Sequence, residues 1–186
     1  MHSANTLFII IGRLQEFIYK CLKEKNIFLR GGISNGYCNI NNNFAFGNGL
    51  IEAYEVESVK AVYPRICLHE SVSENKKLLG KLSLICKFIY GADSLLRFED
   101  KLCYVDYLQY GICQSNISPH NSEFFDEQFL IHKNAIINKL SEIERKIKNS
   151  KTEAELLKNN RIKDKFVWLK GYHNDKVKGR VYELLI

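Results

Sequence analysis

RGGISNGYCNINNNFAFGNGLIEAYEVESVKAVYPRICL, residues 30–68, holds most of the fold's local signals in one run. Ile27–Arg30 opens a strand pattern that Gly31, Gly32 and Gly36 interrupt. Glycine inside a strand signals a bulge, or close approach by a ligand or another backbone. The polar run Asn39–Asn43 suits a hairpin tip, since asparagine tolerates left-handed geometry, and Phe44–Phe46 makes a short return strand. Gly47-Asn48-Gly49 supplies a sharp strand-to-helix turn. Leu50, Ile51, Ala53, Tyr54 and Val56 carry a helix to about Val59. Pro64 forbids its continuation, and Arg65–Leu68 reads as a short buried strand.

Upstream, Leu7, Ile10, Leu14, Phe17, Ile18, Cys21 and Leu22 recur at helical spacing and predict one helix over about Asn5–Glu24. Downstream, Ser71 or Ser73 is placed to cap a helix running to about Phe88. Leu95–Phe98, the turn Glu99-Asp100-Lys101 and Leu102–Leu108 form a β-hairpin, and Gln114–Ser122 reads as a loop. Two helices close the chain, over about Glu123–Asn149 and Thr152–Gly171. The order α-β-β-α-β-α-β-β-α-α predicts an α+β fold with a largely antiparallel sheet. We divide it into residues 1–120 and a two-helix C-terminal extension, residues 121–186.

Through the second hairpin this order resembles the later half of a class III nucleotidyl cyclase domain, the adenylate/guanylate cyclase type. The matching positions are Arg30, Gly32, Ile33 and Gly36 in the strand, Gly47 at the turn, and Ala53 and Glu57 on the helix. The resemblance covers roughly residues 5–108. It implies a ferredoxin-like, cyclase-type sheet with helices on one face. It also implies a dimer, or pairing with a complete cyclase-like chain, and a nucleoside triphosphate or cyclic nucleotide as ligand. The nucleotide would contact Arg30, Gly32, Asn35, Gly36, Gly47, Asn48, Glu52 and Arg65.

The same comparison marks what differs. The family holds two divalent ions on aspartates of its first half, and here no aspartate precedes Asp93. Mg or Mn is therefore expected only where a missing N-terminal half is supplied. Where the family places an Asn and an Arg to stabilise the transition state, this chain has Ile51 and Glu55. Neither donates to a phosphate, and preplaced donors of this kind are often a large catalytic term. The expectation is a cyclase-like module, inactive alone, that binds a nucleotide, regulates or pairs. Its alternative is a fragment of an active cyclase that forms a cyclic nucleotide from a nucleoside triphosphate.

Composition bounds these readings. The 186 residues are 46% hydrophobic and 26% charged, enough for one core, and no apolar run reaches membrane-spanning length. The N-terminus lacks the basic region and cleavage site of a signal peptide. Six scattered cysteines, mostly inside apolar stretches and with no C-x-x-C pair, read as reduced, buried thiols of a cytoplasmic protein. Between Lys133 and Arg180 there are 14 Lys and Arg against 6 Asp and Glu, within a net charge of +6. Such a stretch could bind nucleic acid or an acidic partner. The interleaved Glu142, Glu144, Glu153, Glu155 and Asp164 favour a solvated helix face instead.

The glycines form neither a P-loop nor a G-x-G-x-x-G turn. For Arg30 and Arg65 an ion pair with a neighbouring carboxylate competes with ligand contact. His2, His69, His120, His132 and His173 are too scattered to suggest a metal cluster. Phe166, Trp168 and Tyr172 read as docking residues of the last helix, with His173 and Asn174 in a packing cluster at its end.

Overall fold

The fold comes from a computed structural model, in which residues 4–99, 101–117, 122–178 and 185–186 are described. Helix α1, Ala4–Lys25, buries Leu7, Ile11, Gln15, Ile18 and Leu22 along one stripe. It stops at Asn26, whose own amide donates to the Leu22 carbonyl and whose left-handed backbone (φ 56°) lets the Ile27 amide turn back onto the Cys21 carbonyl. The chain runs irregularly to Arg30, so the strand begins later than its apolar lead-in suggests. Phe28 instead packs edge-on against His132 and Phe166.

Strand β1 is Gly31–Ile33; β2, Asn39–Ile40, and β3, Ala45–Phe46, form a separate exposed hairpin. Helix α2, Asn48–Glu55, widens into a π-helical turn, Val56–Lys60, before strand β4, Ile66–Leu68. The single helix expected after β4 is two. His69 caps the short α3, Glu70–Ser73, by accepting from the Ser71 amide. Asn75, not a serine, caps α4, Lys76–Tyr90, and Gly91 (φ 63°) closes it in left-handed geometry. Strands β5, Leu96–Glu99, and β6, Leu102–Val105, make the predicted hairpin.

Helix α5, Gln109–Ile117, replaces the start of the expected loop over 114–122; residues 118–121 lie outside the described residues. Helices α6, Ser122–Lys148, and α7, Glu153–Val177, complete the chain, α7 running six residues past its expected end. They are antiparallel: Glu144 pairs with Lys163 near the turn, while His132 meets His173 further along.

The sheet order is β1-β4-β6-β5. The fold is α+β, but the sheet is mixed: β1 and β4 run parallel, joined through the hairpin and α2, and the other two pairings are antiparallel. Helices also lie on both faces rather than one. Cross-strand partners share a face, so Cys67, Tyr104 and Arg97 point the same way. On that face Trp168 and Asp175 of α7 meet Tyr104 and Arg97. On the other face Leu79 and Leu82 of α4 line a cleft with Leu96 and Phe98.

One hydrophobic cluster joins Leu7 and Ile11 of α1, Leu68, Leu82 and Val105 with Phe125 and Phe129 of α6 and Tyr172 and Val177 of α7. From Glu144 to Trp168 no residue is fully buried, so the distal half of the α6–α7 hairpin stands clear as an arm. No helix among the described residues is long and apolar enough to cross a membrane. Cys67, Cys86, Cys103 and Cys113 are buried, with burial pushing the Cys103 thiol up to about 12. Cys38, on the hairpin, departs from the buried reading and is exposed.

Candidate functional site

The glycines of residues 31–49 fit backbone to backbone. A Cβ on Gly32 would lie 2.0 Å from the Ala53 carbonyl oxygen, so α2 rests directly on β1. Gly36 and Gly49 touch in the same way: a Cβ on either would come within 2.6 Å of the other's backbone. Gly47 (φ 132°) sits in a conformation that side-chain-bearing residues rarely adopt, and makes the turn into α2. Of the two readings of these glycines, close approach of another backbone describes Gly32, Gly36, Gly47 and Gly49.

This packing gathers separate segments at the carboxyl ends of the parallel pair β1 and β4. Ser34 donates to the Gly49 carbonyl at 2.6 Å, and the Asn35 amide donates to Ser71 Oγ at 3.2 Å. Glu52 is the hub. Its Oε1 accepts from Asn48 at 3.3 Å, and its Oε2 lies 3.4 Å from Ser71 Oγ and 3.5 Å from His69 Nδ1. Ser71 Oγ is in turn 3.0 Å from that same His69 nitrogen. Ser71 and Glu52 thus share one imidazole nitrogen, unlike a nucleophile–base–acid relay, which uses both nitrogens in series. Asn35 Oδ1 is buried with no hydrogen-bond partner. An acceptor left in that state costs about 1–3 kcal/mol.

The structure therefore brings Asn35, Gly36, Asn48 and Glu52 together and adds Ser34, His69 and Ser71; the sequence offered Ser71 only as a helix cap and His69 only as one of the scattered histidines. Ligands of open α/β sheets sit at strand carboxyl ends, where His69–Ser71 follows β4, but that signal needs the parallel β1–β4 pairing, which the sequence does not disclose. The two arginines stand apart from this cluster. Arg30 is ion-paired with Glu57. Arg65, at the opposite end of β4, is buried, donates to Glu99 at 2.9 Å and lies over the rings of Tyr63, Tyr104 and Trp168. Both take the ion-pair alternative.

A second polar assembly escaped sequence reading. Asp106 is buried and accepts from the Tyr172 hydroxyl at 2.6 Å, while its other oxygen pairs with Lys176. The Gln15 amide donates to the Asp106 carbonyl at 2.8 Å. His132 and His173, 41 positions apart, face each other through their Nδ1 atoms, and Tyr107 reaches the far side of His132 at 2.7 Å. Burial, then the neighbouring His173, hold His132 well below the usual imidazole range. This assembly joins α1, the β6–α5 turn, α6 and α7, and it is a core device. His2 and His120 lie outside the described residues.

Comparison of the chain with protein-family models, with curated proteins and with solved structures gave no match.

Proposed function

We propose that this chain is a nucleotidyl cyclase-like binding and pairing module without catalysis of its own, and that its ligand sits at the carboxyl ends of β1 and β4. One observation carries the reading. Segments 34–36 and 47–52, which hold five of the eight residues that the resemblance designates for nucleotide contact, converge with 69–71 on one polar cluster around Glu52, while Arg30, Gly32 and Arg65 lie outside it. The order strand, hairpin, glycine turn, helix, strand supports the cyclase-like reading of the fold. Catalysis is left out because Ile51 and Glu55 stand exposed on α2 where the family carries its Asn and Arg.

The chemistry of the cluster refines the ligand. Ser34, Asn35, Asn48 and Ser71 offer uncharged donors and acceptors, His69 an imidazole and Glu52 a carboxylate. Arg30 and Arg65, the two arginines expected at the nucleotide, are ion-paired elsewhere. Such a site suits the base and ribose of a nucleoside or cyclic nucleotide and repels a triphosphate. Calorimetric titration with adenosine, guanosine, cyclic AMP, cyclic GMP and ATP tests this. The expected result is binding of a nucleoside or cyclic nucleotide, with ATP weaker, and a loss of at least tenfold in Asn35→Ala and Glu52→Gln. Absence of binding by all five removes the ligand half of the proposal.

A specific observation favours the pairing half. Tyr37, Ile40, Phe44 and Phe46 on the hairpin segment, and Ile51 and Tyr54 on α2, are all exposed. Exposed apolar surface gathered in this way marks an interaction site. The partner we assign is a second copy, as the resemblance implies. Light scattering is expected to give a dimer that Phe44→Ser with Phe46→Ser converts to monomer; a monomeric parent protein overturns this half alone.

A further inference from the structure

The segment Lys165–Asn174 borders a cleft that the proposed module does not use. Trp168, Gly171 and Tyr172 of α7 form one wall, and Arg97, Glu99 and Tyr104 of the β5–β6 hairpin form the other. The cleft holds about 280 Å³. That is just below the ~300–1,000 Å³ of pockets for drug-sized ligands, and so is amino-acid-sized. Gly171 keeps it open: a Cβ there would meet no atom within 4 Å.

The lining mixes aromatic rings with the charged side chains of Arg97 and Glu99. Tyr104 and Tyr172 are buried, and the Tyr172 and Trp168 rings lie parallel, 5.5 Å between centroids. The array already holds planar cations, with Arg65 over Tyr104 and Trp168 and Arg97 over Tyr172. Arg97 and Glu99 sit two residues apart on one strand and so share a face. Arg97 is tied at one nitrogen to Asp175, at 2.6 Å, which leaves further donors. Glu99 Oε2 accepts from Arg65 at 2.9 Å and from Tyr104 at 3.2 Å, and the side chain remains 39% exposed. A positive and a negative group, both solvent-reachable, thus flank an aromatic floor.

We infer that this cleft binds a small zwitterion of the amino-acid class. The ligand's carboxylate meets Arg97, its ammonium meets Glu99, and its side chain lies along the wall that Trp168, Gly171 and Tyr172 form, whose rings are already stacked on one another and on Tyr63. A simple cation would meet Arg97 already seated over Tyr172, and a simple anion would meet Glu99. A molecule with both charges complements both ends, each of which keeps its own partner, Asp175 at Arg97 and Arg65 at Glu99.

Trp168 is the sole tryptophan of the chain, so its fluorescence reports the cleft directly. The probe is L-phenylalanine, set against phenethylamine and 3-phenylpropionate, each lacking one charge. The expected result is a saturable change with L-phenylalanine, at least tenfold weaker for either analogue. Gly171 lines the cleft from a helix interior and a Cβ there meets no atom within 4 Å, so Gly171→Leu is expected to abolish the change, and an unchanged far-UV spectrum and melting temperature would show that the fold is kept. Arg97→Gln and Glu99→Gln should each weaken binding at least tenfold. No saturable response, equal binding of an analogue, or unchanged binding in Gly171→Leu overturns the inference.

Discussion

His132 and His173 meet Nδ1 to Nδ1 at 2.9 Å, fully buried, with their rings stacked 13° from parallel. One nitrogen must donate and the other accept, so one ring keeps a bare Nδ1 and the two cannot both be protonated. With the Tyr107 hydroxyl donating to His132 Nε2 at 2.7 Å, His132 Nδ1–H can donate to His173, and the chain is satisfied in one direction. Protonating His132 in the fold would require an imidazolium in full burial.

The sign of the pH dependence follows. Burial depresses the folded-state value of His132 well below 6.5. Below about 6.5 the unfolded chain takes up a proton that the folded chain refuses. Stability is therefore complete above about pH 6.5 and falls as pH drops from there toward the folded value, by up to about 1.4 kcal/mol per pH unit. Urea unfolding between pH 8 and 5 checks this, with His132→Phe expected to flatten the slope. An equal slope in parent and variant contradicts the assignment.

Asp106 is the joint between the β6–α5 turn and α7. Asp106→Ala leaves Lys176, whose side chain is only 15% exposed, with Gln109 but no counter-charge, and leaves the Tyr172 hydroxyl without its acceptor. Breaking such a buried pair from one side costs about 3–5 kcal/mol. Denaturant melts of Asp106→Ala, Lys176→Met and the double variant should show the two losses to be strongly non-additive.

Gly32→Ala pushes a methyl into the Ala53 carbonyl and should lift α2 from β1, at a loss of more than about 3 kcal/mol. Gly12→Ala and Gly80→Ala, inside α1 and α4 with open space around them, should instead stabilise by up to about 1 kcal/mol each. Thermal melts separate the two outcomes.

What was legible in the sequence was what periodicity and turn chemistry encode locally. The stripes of α1 and α6, the Gly47 turn and the β5–β6 hairpin all follow from residues close in the chain. Helix α5 was hidden because its buried residues Gly111, Ile112 and Cys113 are consecutive and form no stripe at helical spacing. The His132–His173 pair needed the antiparallel α6–α7 turn before its members could meet. Asp106 did leave a trace, as one carboxylate inside the apolar run Leu102–Leu108, where burial demands a partner. Mixed sheet direction was not legible, because parallel pairing of β1 with β4 is set by the crossover through α2 rather than by either strand's own residues.

The most direct test of the central claim is an amide-resolved NMR titration of the full chain with cyclic AMP and cyclic GMP. The account predicts saturable shifts for at least one of them, concentrated at residues 34–36, 47–52 and 69–71 and absent at Arg30 and Arg65. Shifts centred elsewhere, or none with either ligand, would contradict it.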